Sequence, residues 1–356
     1  MSGTILPKAD AAPRLTDADN FLRLSLLVVA LGVGLAPIYR FIGSMIWFRE
    51  YLGDYQVFWG IGSVPIKHIY DHHVFAYPPS ALLLIRPFGW LPFWPSLLLW
   101  SLAGVAAIAL AARGTFAPRA MILGLITYAG VGVLVGGQIS LFVGALVIAG
   151  LSARSAPWRG LFLAAAAVIK PQSALAAPVA LLAGRGWRTI AWAVTTGCCL
   201  LLLSVLLFGL EPWGRWITEM PKFRAYLGLR GIDRMDVGVY GLAASLGLPS
   251  WTYLFGVPLG IATTWLVFRE EAPPVDRYAA FAASAVLMSP YTLYYDLTGL
   301  TFACLTMLLD RHRSPLIWLA AALIVSSVLA VMGIILLAAM LSYEAIQRGR
   351  AAVPRL

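Results

Sequence analysis

Apolar runs long enough to cross a bilayer alternate along this chain with short connectors marked by glycine, proline or charge. Residues 21–47 form the first run, and a crossing needs roughly 20 residues, so this is one span. The stretch 49–77 then carries Glu50, Asp54, Lys67, His68, Asp71, His72 and His73 among aromatics, which makes it a first large loop. Residues 78–90 are apolar again but only half a span long and bracketed by prolines, the pattern of an interfacial or re-entrant helix. Further spans are predicted at 93–112, 119–135 and 139–153, the last two separated by Gly136, Gly137 and Gln138.

Residues 164–182 are apolar except for Lys170-Pro171-Gln172 at their centre. A lysine at the bilayer midplane costs about 3 kcal/mol on insertion scales. Two half-length helices meeting at Lys170 avoid that cost. The flanks agree, because Arg154 and Arg159 before the segment and Arg185 and Arg188 after it lack acidic neighbours and read as cytoplasmic. The segment therefore enters and returns. A span at 192–210 leads to a second polar loop, 211–236, where Arg215, Lys222, Arg224, Arg230 and Arg234 face four acids. Spans follow at 252–268, 277–288 and 297–309, then a run at 315–343 that makes two helices hinged near Gly333.

These elements predict an all-α, polytopic transmembrane bundle of about twelve membrane segments, some half-length. Residues 1–20 read as a cytosolic tail, 21–346 as one transmembrane domain with outer loops at about 49–92 and 211–250, and 347–356 as a second cytosolic tail. The first 20 residues lack the basic, apolar, small-residue order of a cleavable signal.

Composition sharpens the class. Among 356 residues, 26 are basic and 16 acidic, and the 12% charged content compares with about 25% in soluble domains. With 60% hydrophobic residues and a mean hydropathy of +0.83, the apolar side chains exceed what one core can bury, so the excess faces lipid. A soluble enzyme, a disulfide scaffold and a disordered chain are excluded. The net charge of +10 comes from scattered pairs between apolar runs, the positive-inside pattern, and points to the bilayer and away from nucleic acid. Cys198, Cys199 and Cys304 lie in apolar runs and form neither a disulfide framework nor a metal set.

The expected topology brings the Asp54 loop, Gly137-Gln138, Lys170-Pro171, the Arg230 loop and Ser289-Pro290-Tyr291 to one outer face. Asp54 has the chemistry of a general base, although by itself it reads first as a turn or helix-cap residue. Lys170, Arg230 and Arg234 are candidate phosphate contacts, since guanidinium makes paired hydrogen bonds to phosphate and lysine a point charge. For Arg230 and Arg234 a solvated loop pair is the other reading. Gln138 either binds substrate or caps two helices, and Tyr294, Tyr295 and Asp296 either bind sugar or belong to an interfacial belt. His68 and His72 have the spacing of zinc ligands on a helix, but no glutamate follows His68. Asp17-Ala18-Asp19 reads as a helix-cap cluster.

One ordered set of motifs goes further. Asp54-Tyr55-x-Val57-Phe58-Trp59-x-x-Gly62, Ile69-Tyr70-Asp71 and Phe75-Ala76-Tyr77-Pro78-Pro79 are followed by Gly137-Gln138, then Lys170-Pro171-Gln172 with Gly184-Arg185-x-Trp187-Arg188, then Ser289-Pro290-Tyr291 and Tyr295-Asp296-Leu297. Together, over about residues 50–300, they resemble glycosyltransferase family 87, polytopic enzymes that use polyprenyl-phosphate sugars. The resemblance implies a C-type glycosyltransferase architecture with an outer catalytic cavity, Asp54 as the first-loop base, and Tyr55, Trp59, Tyr77, Gln138, Gln172, Tyr291, Tyr295 and Asp296 as substrate contacts. Many such relatives carry paired acids in this loop, whereas Tyr55 follows Asp54 here, so no resident metal is expected and a divalent ion is left open.

The implied reaction is inverting transfer of a hexose (mannose-like) or a pentose to a lipid or glycan acceptor at the extracytoplasmic face of the inner (plasma) membrane. A lipid-linked donor suits that face, where no nucleotide-sugar pool exists, and an apolar groove between spans suits a polyprenyl tail. The competing reading is a transporter or flippase of a lipid-linked saccharide, which shares half-helices and basic residues but would be expected to show an inverted repeat. A hydrolase would need a Ser-His-Asp or metal set, and none stands out.

Overall fold

The computed structural model describes residues 16–48, 53–71, 75–229, 231–232, 236–270, 272–327 and 329–352. Among them the chain is helical throughout, with one isolated bridge between Asp236 and Leu293. Helix α1 (Asp17–Phe48) starts at a capping box. Thr16 Oγ1 accepts from the Asp19 amide at 3.2 Å and Asp19 Oδ2 accepts from the Thr16 amide at 3.2 Å, so the Asp17-Ala18-Asp19 cluster serves the helix end.

Helix α2 (Gly53–Ser63) opens the first large loop. The half-length segment behind it is a 3-10 turn at Pro79–Ala81, a single turn α3 (Leu82–Ile85) and a second 3-10 turn at Arg86–Trp90. Prolines remove backbone donors here and keep the pieces short. Gly62 and Gly89 let α2 lie directly on this segment, since a Cβ on Gly62 would stand 2.7 Å from Gly89 Cα.

Helix α4 (Phe93–Ala111) is a full span. The expected single span at 119–135 is instead α5 (Pro118–Leu125) and α6 (Tyr128–Val135), bent by 67°. Thr127 causes the break: its hydroxyl donates to Gly124 O at 2.7 Å and accepts from the Gly130 amide at 3.3 Å, which ends one helix and caps the next. Helices α7 (Ser140–Ser152) and α8 (Ala156–Ile169) follow. As expected, the chain breaks at Lys170 and continues as a 3-10 turn and the short α9 (Ala177–Ala183).

Helix α10 (Trp187–Phe208) is mostly lipid-facing, with Val194, Leu202, Leu206 and Leu207 exposed beside the free Cys198 and Cys199. The second polar stretch, expected as a loop, contains a 19-residue helix, α11 (Glu211–Leu229). It is tied to the first loop by Arg215 Nη2 on Asp71 Oδ1 at 2.6 Å and by Trp216 Nε1 on Ala76 O at 3.0 Å. Charge density hid a helix that packs on other protein elements.

The remaining elements are α12 (Val239–Ser245), α13 (Gly256–Arg269), α14 (Pro274–Met288), α15 (Thr298–Leu309), α16 (Pro315–Ser326) and α17 (Ala330–Ala352). The hinge expected near Gly333 lies earlier, at left-handed Ser327. Gly333 sits inside α17, where its missing side chain admits α16: a Cβ would come within 2.7 Å of Ala320 O. Helices α14 and α15 are central, with Phe281, Phe302, Cys304 and Leu305 fully buried. Among the described residues five stretches are long and apolar enough to cross a membrane, or six if the bent α5–α6 pair is one crossing, so about twelve segments would require the shorter helices to count as well. The chain is an all-helical membrane protein.

Candidate active site

Four helices share one end here. Helices α4 and α7 begin, and α8 and α14 finish, around the same polar cluster, against which α2 is laid. Ser80 helps hold the first-loop segment in place by donating to Val168 O near the end of α8.

Asp54 lies in the first turn of α2. Gln138 Nε2 donates to its Oδ2, and Gln138 reaches it from the turn between α6 and α7. Gly137 makes that turn with a φ of +60°, and a Cβ there would lie 2.6 Å from Tyr55 Cβ, so a side chain would push α2 away. Gln138 is 2% exposed, and its Oε1 is buried with no hydrogen-bond partner among the described residues. Asp54 itself keeps exposed surface although protein surrounds it closely, as expected of a carboxylate in an open recess. Desolvation there pushes its carboxyl above the ordinary value, against the lowering effects of the Gln138 hydrogen bond and the Lys170 charge, while Asp296 adds to the rise.

Lys170 is buried and has a partner. Its Nζ donates to Asp296 Oδ1, and Ser140 Oγ donates to the same oxygen at 2.5 Å. The ammonium also lies 3.4 Å from Ser140 Oγ and 5.9 and 5.6 Å from the rings of Tyr77 and Tyr295. A lysine among apolar residues is thus neutralised by a carboxylate 126 positions later. A small cavity of about 60 Å³ adjoins Asp296, with Ser140, Gln172 and Thr292 in its wall.

The other expected contacts divide. Tyr77, Tyr291 and Tyr295 are half-buried aromatics around the polar cluster, and Tyr291 packs edge-on to Phe223 of α11 at 6.0 Å. Trp59 is half-buried and anchors α2 through Nε1 to Leu91 O at 2.8 Å. Tyr55 is fully buried between Phe93 and Trp100 with its hydroxyl 2.6 Å from Ser96 Oγ, which makes it a packing residue behind Asp54 where a substrate contact was expected. Arg230 and Arg234 lie outside the described residues, as does His72. His68 Nδ1 is 2.6 Å from Asp71 Oδ2, in the loop tied to Arg215. Among the described residues no three potential metal ligands converge.

One further carboxylate, not marked by any of the motifs above, joins the site. Asp236 accepts from the amides of Gly238 at 2.7 Å, Gly241 at 3.1 Å and Thr292, joining the second polar stretch to the Ser289-Pro290-Tyr291 turn. Burial raises its carboxyl to about 6, offset by these hydrogen bonds. The Asp-x-Gly pattern at 236–238 could have signalled an Asx turn. An accessible carboxylate beside a fixed amide, a compensated ion pair and aromatic walls can take a proton from a hydroxyl and stack against a sugar ring.

The family model of glycosyltransferase family 87 matches residues 75–290, more than half of the chain. Asp54 and Asp296 fall outside the matched stretch, and Tyr77, Gln138, Lys170 and Gln172 inside it. Over 253 residues the chain is 30% identical to an alpha-(1->3)-arabinofuranosyltransferase of Mycobacterium tuberculosis (strain CDC 1551 / Oshkosh) and to the protein of that name in strain ATCC 25618 / H37Rv, a match covering 65% of this chain and 56% of each relative. The chain spans about half the length of the curated relatives it matches. No solved structure matches it. The family match, carried by the helices that frame Lys170 and Gln138, shows that the chain belongs to glycosyltransferase family 87, a family of membrane glycosyltransferases.

Proposed function

We propose that this protein transfers a sugar from a polyprenyl-phosphate donor to a lipid or glycan acceptor, with Asp54 as general base. The observation that carries the reading is Asp54 itself: an accessible carboxylate, aimed by buried Gln138, next to the Lys170–Asp296 pair. In the proposed step the acceptor oxygen bonds to the anomeric carbon as that carbon's bond to the phosphate oxygen breaks. The bonding pair leaves with the phosphate, the acceptor proton goes to Asp54, and a single displacement inverts the anomeric centre. The buried, unpartnered Oε1 of Gln138 would accept a hydrogen bond from a sugar or acceptor hydroxyl.

The leaving phosphate needs cations. An ammonium has three donors, and Asp296 and Ser140 take two from Lys170, which leaves one for a phosphate oxygen. Arg230 and Arg234 are proposed to supply the rest. Tyr77, Tyr291 and Tyr295 would stack on the sugar, with Trp59, Gln172 and Asp296 as further contacts. The printed name of the M. tuberculosis relatives favours a pentose over the mannose-like hexose as cargo. The bare basic flanks at Arg154, Arg159, Arg185 and Arg188 support an extracytoplasmic site in the plasma membrane.

The test uses purified protein in vesicles, synthetic polyprenyl-phosphate arabinose and mannose, and lysate-derived glycan acceptor. Wild-type protein is expected to form an inverted glycoside, preferring the pentose donor. Movement of the donor across the bilayer without transfer would establish the transporter reading instead.

A further inference from the structure

The helices that frame the Asp54 site have their other ends together as well. The end of α4 with Arg113, the end of α7 with Arg154 just beyond it, and the starts of α8 and α14 surround an open-sided recess of about 350 Å³. At 1.5 Å per residue, the 13 residues of α7 put it about 20 Å from the Asp54 site. It is a separate place in the molecule.

Among the described residues four arginines line this recess, namely Arg113, Arg154, Arg159 and Arg277, and no carboxylate does. Arg159 and Arg277 are close enough to repel each other, and Arg159 Nε is buried without a hydrogen-bond partner among the described residues. The acid nearest in sequence, Asp276, is fully buried and committed elsewhere, to Arg313 at 2.5 Å and Arg348 at 3.4 Å. Glu270 is 3.8 Å from Arg269. Helices α8 and α14 both start here, so two positive dipole ends add to the guanidinium charge. Like charges gathered in a half-open recess are unfavourable unless an anion joins them, and guanidinium groups match phosphate oxygens in geometry.

We infer that this recess, formed by Arg113, Arg154, Arg159 and Arg277, is a phosphoryl-binding site distinct from the Asp54 site. The phosphoryl group belongs either to an anionic phospholipid of the adjoining leaflet or to a small soluble phosphate. Basic pockets between membrane helices take lipid headgroups in this way. The inference does not rest on the transferase reading.

The experiment measures thermal unfolding of the full chain, delipidated in neutral detergent, against phosphatidylglycerol, phosphatidylcholine and inorganic phosphate. Three variants are compared with wild type: Arg159→Gln with Arg277→Gln, Arg113→Gln with Arg154→Gln, and Asp54→Asn. Phosphatidylglycerol is expected to stabilise wild type and Asp54→Asn at concentrations at least tenfold below those needed by either arginine pair variant, with no such difference for phosphatidylcholine. Arg113 and Arg154 are exposed, so their double variant keeps the test available if the Arg159 and Arg277 pair proves necessary for folding. Selective stabilisation by phosphatidylglycerol alone assigns the lipid source, and selective stabilisation by inorganic phosphate assigns the soluble one. The site is overturned if wild type responds to neither, or if the Arg113 and Arg154 variant responds to the stabilising ligand as wild type does.

Discussion

The side-chain amide of Gln138 donates a hydrogen bond to the carboxylate of Asp54, joining positions 84 residues apart. That bond favours the ionised carboxylate and works against the surrounding desolvation. Under the general-base reading, Gln138→Leu leaves Asp54 harder to ionise. The acidic limb of the rate against pH should therefore move to higher pH, with turnover at neutral pH lowered. A pH-rate profile unchanged from wild type would separate Gln138 from the base.

Asp54→Asn keeps the shape of the side chain and removes its basicity. General-base contributions are typically about 100-fold to 10,000-fold, and turnover should drop by that order while donor binding is largely kept. Transfer at the wild-type rate by this variant would end the assignment of Asp54 as base.

The Lys170–Asp296 pair makes a prediction about stability as well as activity. Breaking a buried ion pair by removing one partner typically costs about 3–5 kcal/mol. Lys170→Met and Asp296→Leu should each destabilise the purified protein strongly, and the double replacement by much less than the sum. Lys170→Ala should also weaken donor use, with Lys170→Arg retaining part of it. Additive losses in the double-mutant cycle would show that the two groups are not coupled.

Asp236 gives a pH signature of a different sign from a paired surface carboxylate. Its folded value, about 6, lies above the ordinary one, so the folded chain holds this proton more readily than the unfolded chain does. The resulting stabilisation is complete below the ordinary carboxylate range and is lost as pH rises through about 6. Asp236→Asn should flatten that part of the stability curve. If the curves of variant and wild type run parallel from pH 4 to 7, a range set by these values, Asp236 is not the titrating group.

Orientation is accessible to cysteine labelling. Gln56, Ser155 and Gly184 are exposed positions near opposite ends of the bundle. Gln56→Cys should react with an impermeant reagent from outside, and Ser155→Cys and Gly184→Cys only from inside. Labelling of positions 155 and 184 from opposite faces would break the hairpin around Lys170.

Much of the architecture was legible in the linear order of residues. In lipid every backbone polar group needs an internal partner, so apolar runs of sufficient length become helices whatever surrounds them, as α4 and α10 did. The break at Lys170-Pro171 was equally local, since proline withholds a donor and a lone lysine shuns hydrocarbon. Asp54, Gln138 and Lys170, expected at one end of the bundle, are gathered there, although the count of crossings behind that expectation is not reproduced. Other features depended on which surfaces meet in three dimensions. Residues 211–229 carry too much charge to read as a packed helix until the first loop is seen to receive Arg215 and Trp216. Thr127 bends a span because its hydroxyl finds Gly124 O and the Gly130 amide, a competition that an apolar run does not reveal. Tyr55 follows Asp54 in sequence yet turns into the core, because neighbouring residues of a helix point to different faces. The partner of Lys170 is 126 residues away, and the arginine recess draws on four helices. Apolar length and backbone hydrogen bonding are properties of a segment and can be read from it, whereas the neutralisation of a charge depends on what another segment brings beside it, and only the tertiary structure decides that.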